Sequence, residues 1–162
     1  MIINLDSKAP SVQCKLGKKL YRIYANDKNQ RQIEKILGFY FEQQAKINDL
    51  DEQFEAAQKN KDAKSPISPT EFKKITSELI TGVKKTFIEI FDTLLNEKGV
   101  GEEIWRVKNG STEYLVFALQ EIQAQLKAEQ AKYEKDRKEA IEKEYSVHKS
   151  RAVRHRNSSY KK

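Results

Sequence analysis

Few residues in this sequence could carry out catalysis, and the two histidines lie in a segment that is not expected to fold. Both histidines, His148 and His155, lie near the carboxyl end in a basic stretch without apolar periodicity. A disordered segment cannot keep a general base within hydrogen-bonding distance of a substrate. The adjacent acids Glu102 and Glu103 could bind a cation, but at the start of a helix they are explained by their favourable interaction with the helix dipole. The sequence therefore predicts a protein that is not an enzyme.

The sequence also lacks the residue patterns of metal and cofactor sites. Cys14 is the only cysteine, so it can neither close an internal disulfide nor form a pair of zinc ligands, and we interpret it as a small buried residue of a strand. The glycines are scattered, and we interpret Gly99-Val100-Gly101 as following a helix rather than preceding one, unlike a phosphate-binding loop. We expect no catalytic residue, metal, cofactor or small-molecule substrate.

The net charge of the chain is concentrated at its carboxyl end. The formal charge is +7, and residues 143–162 contain seven basic residues and one acid. The rest of the chain is therefore close to neutral, and the basic character belongs to a tail. Arg151, Arg154 and Arg156 in this tail form a pattern that can bind nucleic acid or an acidic protein surface, although basic termini often serve solubility alone.

Hydropathy gives no sign of a membrane segment or a secretion signal. The longest apolar run spans residues 114–119, whereas a membrane helix needs about 20 consecutive apolar residues. The first residues combine neither a basic start nor a long apolar stretch. We expect a cytoplasmic protein without a membrane partner.

The amino-terminal residues are predicted to form a small β-hairpin. Apolar residues alternate within residues 11–24 around a Gly17-Lys18 turn, and residues 1–5 could add a third strand. A lone hairpin is only marginally stable in water. We therefore expect this hairpin to pack on a helix or to extend a sheet from another subunit.

A long first helix, capped by Asn26 or Asp27 and ending near Asn60, carries a heptad stripe. Its apolar residues recur at a and d spacing, interrupted by Gln43. Two interpretations are open, because the stripe can pack within the protein's own bundle or can engage another chain, either a second copy or a different partner. The residues that we predict to bind a partner are Ile33, Tyr40, Ile47, Leu50 and Phe54.

A linker at residues 59–68 precedes an apolar second helix. Ser68 can cap this helix, Pro69 suits its first position and Glu71 can complete a capping box. The helix is predicted to form the core, with Phe87 and Phe91, and to stop at Gly99 and Gly101. Gly82 in its middle indicates either a closely packed neighbour or a bend.

A short turn that places Trp105 against the core precedes a last helix, capped by Ser111 or Asn109. This helix is apolar at first, becomes charged after Leu126 and is expected to end in disorder from Ser146. We therefore predict two parts: a helical body in residues 1–126 and a charged helical extension with a basic tail in residues 127–162. The fold class is mostly α with some β, a helical bundle with a small amino-terminal β-hairpin and a long carboxyl-terminal helix ending in a disordered basic tail.

The order of these elements, and several of their residues, resemble the tail assembly chaperones of long-tailed bacteriophages of Gram-positive hosts. The similarity is clearest over residues 70–125. The residues that carry it are Ser77-Glu78-Leu79-Ile80, Phe87-Ile88-Glu89-Ile90-Phe91-Asp92, Gly99-Val100-Gly101-Glu102-Glu103-Ile104-Trp105 and Arg154-His155-Arg156-Asn157.

The resemblance implies that the protein coats the tape measure protein in the host cytoplasm and keeps it soluble until tail-tube protein polymerises around it. It implies self-association and names the major tail protein as a further candidate partner. Apolar stripes on a tape measure helix would aggregate if exposed, so a protein with its own apolar helix faces could cover them. Two other classes are open, a nucleic-acid-binding accessory protein that uses the basic tail and a structural protein of the virion.

Overall fold

A computed structural model describes residues 9–59 and 67–159, and it describes side chains up to Arg154. The predicted fold class is confirmed, since the chain is mostly helical with a small amino-terminal hairpin. The elements in chain order are β1 (Ser11–Leu16), β2 (Lys19–Tyr24), α1 (Asp27–Lys59), α2 (Pro69–Leu94), α3 (Val100–Val107) and α4 (Thr112–Ser159).

The hairpin forms as its alternating pattern predicts. Strands β1 and β2 are antiparallel, with Leu16 opposite Lys19 across the two-residue turn. Gly17 has a φ of +60°, a conformation that glycine adopts without steric cost. The hairpin packs on α4, which is the helix support that a two-stranded sheet requires. The third strand predicted at residues 1–5 lies outside the described residues.

The predicted starts of α1 and α2 are both confirmed by their caps. The Asn26 side chain accepts a hydrogen bond from the Asn29 amide at 2.8 Å. The Ser68 hydroxyl accepts one from the Glu71 amide at 3.2 Å, and Pro69 occupies the first turn. Most of the predicted linker, residues 60–66, lies outside the described residues.

The predicted end of α2 is wrong. The helix ends at Leu94 rather than at the glycines, and Asn96 then adopts a positive φ of 52°. Gly99, with a φ of 90°, is the N-cap of α3, and Val100 and Gly101 are its first residues. The Gly99-Val100-Gly101 segment therefore begins a helix instead of ending one. The glycines were the expected end, but asparagine can also take the left-handed conformation that ends a helix.

The start of α3 is held against α2 by one carboxylate and one glycine. Asp92 of α2 accepts hydrogen bonds from the amides of Gly101 at 2.7 Å and Gly99 at 3.1 Å. A Cβ atom at Gly101 would lie 2.1 Å from the carbonyl oxygen of Ile88. Gly82, in contrast, has no atom within 4 Å of the position of a Cβ in the described part of the chain, so of the two interpretations of Gly82 the close neighbour is not found there.

The hydrophobic core lies where α1, α2, α3 and α4 meet beneath the hairpin. Phe87 and Phe91 are fully buried, as predicted, and Ile23 of β2 is buried with them. The buried core residues are Ile23, Ile33, Leu37, Val83, Phe87, Ile90, Phe91, Leu94, Leu95, Val100, Leu115, Val116, Leu119 and Leu126.

Helix α4 leaves the core and continues alone. The Ser111 hydroxyl accepts a hydrogen bond from the Tyr114 amide at 3.4 Å, and every described side chain from 131 to 154 is exposed. The predicted disorder from Ser146 differs from the structure, in which α4 is helical to Ser159, since no glycine or proline follows Gly110 to interrupt it. Over the described ranges, no helix combines the length and apolarity of a membrane span.

Candidate partner-binding surface

The antiparallel pair α1 and α2 extends beyond the core as an arm, which we define as residues 44–59 of α1 and 69–82 of α2. No residue of this arm is buried, because the last buried residue of α1 is Gln43 and the first of α2 is Val83. The core therefore occupies only one end of the helical pair.

The two helices of the arm meet along an apolar seam. The rings of Phe54 and Phe72 stack with centroids 4.7 Å apart and planes 15° apart. The seam also contains one polar group, the Thr76 hydroxyl. Its oxygen is buried and has no hydrogen-bond partner in the described part of the chain. The half-buried apolar residues of the seam are Ile47, Leu50, Phe54, Phe72, Ile75 and Leu79.

A groove opens at the base of the arm, where the amino terminus of α4 approaches α1 and α2. Its volume is about 450 Å³. Ile80, on its rim, is 50% exposed, so apolar surface continues from the seam to the rim. The residues that line the groove are Tyr40, Gln43, Gln44, Ile47, Ile80, Val83, Thr112 and Glu113.

The structure divides the heptad stripe of α1 between the core and the arm. Ile33 is 0% exposed, and Tyr40 packs edge to face on Phe87 with ring centroids 5.9 Å apart. Ile33 is thus enclosed by its own chain and is not on a surface that a partner could reach in this arrangement. Ile47, Leu50 and Phe54 lie in the arm beside α2, and none of the three is fully buried.

Most of the arm's acidic residues lie on α1. Asp49, Asp51, Glu52 and Glu55 are exposed, and no basic residue lies between Lys46 and Lys59. A partner segment that packs on the α1 side of the seam would meet this negative surface. Basic or neutral residues beside its apolar stripe would therefore favour binding.

The predicted basic site lies far along α4, away from the arm's seam in sequence and in fold. Arg151 and Arg154 are exposed, as is His148. The side chain of Arg156 lies outside the described side chains. Because residues three apart share a helix face, His148, Arg151 and Arg154 lie along one side of α4.

The hairpin is attached to the α2–α3 connection through a cluster of charged and polar groups. The Lys19 ammonium lies 2.7 Å from one carboxylate oxygen of Glu97, and the Tyr21 hydroxyl donates to the other at 2.6 Å. These bonds hold the pKa of Glu97 below its ordinary value, and the same bonds raise the pKa values of Lys19 and Tyr21. Lys19 is exposed and Tyr21 and Glu97 are half-buried, and the two bonds attach β2 to the α2–α3 connection.

The residues considered for chemistry are dispersed in the structure. Glu102 and Glu103 lie in the first turn of α3, and Glu102 pairs with Arg106 at 4.0 Å. Cys14 is half-buried in β1, where burial and then Glu121 raise the pKa of its thiol. In the described ranges, no three or more histidine, cysteine or acidic side chains cluster as metal ligands would.

Trp105 packs at the edge of the core rather than inside it. It is half-buried, the Lys84 ammonium lies 3.6 Å from its ring centroid, and its indole N–H has no hydrogen-bond partner in the described part of the chain. A cation over the ring face is a favourable electrostatic contact. This pairing joins α2 to α3, and apart from the two residue types no pattern in the chain indicated it.

Compared with known proteins, the chain matches no family model, no curated protein and no solved structure.

Proposed function

We propose that the protein is a phage tail assembly chaperone that binds apolar helical segments of the tape measure protein in the host cytoplasm. The observation that supports the proposal is the arm, whose apolar seam lies between two helices and has no fully buried residue in the described part of the chain. A third amphipathic helix laid along this seam would complete a three-helix contact and remove apolar surface from water.

The groove at the base of the arm gives this partner helix a place to end. Ile80 on its rim would pack against an apolar residue of the partner, while the acidic residues of α1 favour a partner whose flanks are basic. Such binding requires no nucleotide.

The experiment is co-expression of the protein with the tape measure protein of the same phage, the partner that the proposal names, followed by co-purification. We expect Ile80→Glu to reduce recovery of soluble tape measure protein strongly, because it places a charge in the contact. Thr81→Glu adds the same charge at an adjacent exposed position of α2 and should leave recovery unchanged. Equal recovery with both variants, or aggregation of the tape measure protein regardless of the chaperone, would refute the proposal.

A second candidate function is nucleic-acid binding by the carboxyl-terminal part of α4, since Lys149, Arg151 and Arg154 are all exposed there. Binding through phosphate contacts weakens steeply as salt concentration rises. A titration with a labelled oligonucleotide at two salt concentrations tests it, and neutralising the three residues together should abolish binding. Binding that is insensitive to salt would contradict this candidate.

A further inference from the structure

Two exposed helix surfaces of the protein carry opposite charge. On the arm, residues 47–58 of α1 contain four acids and no basic residue. Residues 143–154 of α4, which we call the basic end, contain four basic residues and one acid. The acids of the arm are Asp49, Asp51, Glu52 and Glu55, the basic residues of α4 are Lys143, Lys149, Arg151 and Arg154, and all of them are exposed. The two surfaces are therefore complementary in charge.

The spacing of the charges also matches. Glu52 and Glu55 are three residues apart and lie along one side of α1. Arg151 and Arg154 have the same spacing on α4. Val147, which is 48% exposed, lies one turn before them on the same side. A helix placed with its arginines beside the two glutamates can thus bring an apolar side chain to the arm's seam.

Helices α1 and α4 run antiparallel where they pack in the body. The start of α4 lies at the base of the arm, where Thr112 and Ile47 line the same groove. Further along α4, the Gln30 side chain donates a hydrogen bond to the Gln130 side chain at 2.6 Å. From this contact α1 continues towards the arm, and α4 continues away from it. The arm and the basic end therefore lie at opposite ends of the molecule.

One copy of the chain cannot bring its two charged surfaces together. At 1.5 Å per residue, Asp51 and Arg151 each lie about 32 Å along their helices from the contact between Gln30 and Gln130, so about 60 Å separates them. Helix α4 is continuous over this length and contains neither a glycine nor a proline that could turn it back. A pairing of the arm with the basic end must therefore join two molecules.

We propose that the protein associates with itself through these surfaces, with the basic end of one copy packed along the acidic α1 face of the arm of a second copy. Both surfaces lie equally far from the contact between Gln30 and Gln130. Two copies related by a two-fold axis can therefore make the contact twice. Each contact places arginine side chains beside carboxylates and covers part of the apolar seam.

The inference uses the same arm as the proposed function, but it needs only a second copy of this chain. Failure to bind the tape measure protein would leave it standing, and failure to self-associate would leave the proposed function standing. Contacts between exposed charges are individually weak and are screened by salt. We therefore expect reversible self-association that weakens as the salt concentration rises.

The experiment is analytical ultracentrifugation of the full chain, treated with nuclease, over a range of protein concentrations at low and at high salt. Arg151→Glu combined with Arg154→Glu should raise the dissociation constant of self-association roughly ten-fold or more, because attraction at two positions becomes repulsion. Lys127→Glu combined with Lys132→Glu is the matched control. It changes the net charge equally at two exposed positions of α4 outside the basic end and should leave the dissociation constant almost unchanged.

Charge reversal on the arm gives the complementary test. Glu52→Lys combined with Glu55→Lys should weaken self-association as strongly as reversal of Arg151 and Arg154. A chain that carries all four substitutions should regain it, because its arm is then basic and its α4 end acidic. Pairing of two arms, or of two basic ends, would not be restored in this way.

Circular dichroism checks that each variant keeps its helices, and glutamine replaces lysine at Glu52 and Glu55 if the reversed arm does not fold. A protein that stays monomeric at every concentration in low salt would overturn the proposal. So would self-association that the control weakens equally, or that the four substitutions together do not restore. Self-association that nuclease treatment abolishes would also overturn it, because nucleic acid would then bridge the copies.

Discussion

Replacement of Gly101 by alanine should destabilise the protein more than any other single methyl addition to its helices. Gly101 is buried in the first turn of α3, and its Cβ would lie 2.1 Å from the Ile88 carbonyl oxygen and 2.7 Å from the carbonyl carbon. A carbon–oxygen contact normally exceeds about 3.3 Å, so α2 and α3 would have to separate by roughly 1 Å. The obstructing atoms belong to the backbone, and no side-chain rotation can relieve the clash.

The magnitude follows from two opposing effects. Overpacking typically costs about 1–3 kcal/mol, and we expect the upper end here because the neighbour is a helix backbone. Separation would also stretch the 2.7 Å hydrogen bond from the Gly101 amide to Asp92. Alanine gains about 1 kcal/mol over glycine in helix propensity, so the expected net loss in the free energy of unfolding is about 2 kcal/mol.

Gly82→Ala is the matched control, since Gly82 is also helical but has no atom within 4 Å of the added Cβ. It should stabilise the protein by about 0.5–1 kcal/mol, because only the propensity gain operates. Urea denaturation followed by circular dichroism gives the free energy of unfolding of both variants. If Gly101→Ala were as stable as Gly82→Ala, the close approach of α3 to Ile88 would be refuted.

Three further changes have defined outcomes. Bonds from Lys19 and Tyr21 lower the folded-state pKa of Glu97. The stabilising contribution of the Glu97 carboxylate is therefore present above its unfolded-state pKa and is lost as the pH falls through its folded-state pKa. The melting temperatures of wild type and Glu97→Gln should converge in acid, and a difference that stays constant with pH would contradict this. Phe91→Ala should lower the free energy of unfolding by about 3–5 kcal/mol, and normal stability in urea would exclude a core role. Deletion of residues 147–162 should leave the melting temperature almost unchanged, because the described side chains there are exposed; a large drop would show that this segment packs on the body.

Local signals in the sequence predicted most of the elements correctly. The Gly17-Lys18 turn, the Asn26 cap and the Ser68-Pro69 start of α2 each depend on residues adjacent in the chain. Hydrogen bonds between near neighbours and conformational preferences decide such features, so they can be recognised without knowledge of the rest of the fold.

The heptad spacing of α1 was also visible in the sequence, but it could not show which part of the stripe is enclosed. Ile33 and Phe54 occupy equivalent positions in the repeat, yet one is fully buried in the core and the other lies in the arm. The difference depends on where α4 crosses the helical pair, and α4 is distant from α1 in the sequence. The sequence therefore predicted which residues of α1 form the apolar stripe, but it could not predict which of them lie outside the core.

Only the tertiary structure decided how the α2–α3 connection is built. Asp92 resembles any exposed helical acid in the sequence, and Gly101 resembles a helix-ending glycine. Their roles arise because the chain reverses at Asn96 and brings the start of α3 onto α2, where the carboxylate meets two free amides and the missing Cβ admits the Ile88 carbonyl. Periodicity and capping propensities describe a residue's neighbours along the chain, whereas these contacts depend on how closely two helices approach in space.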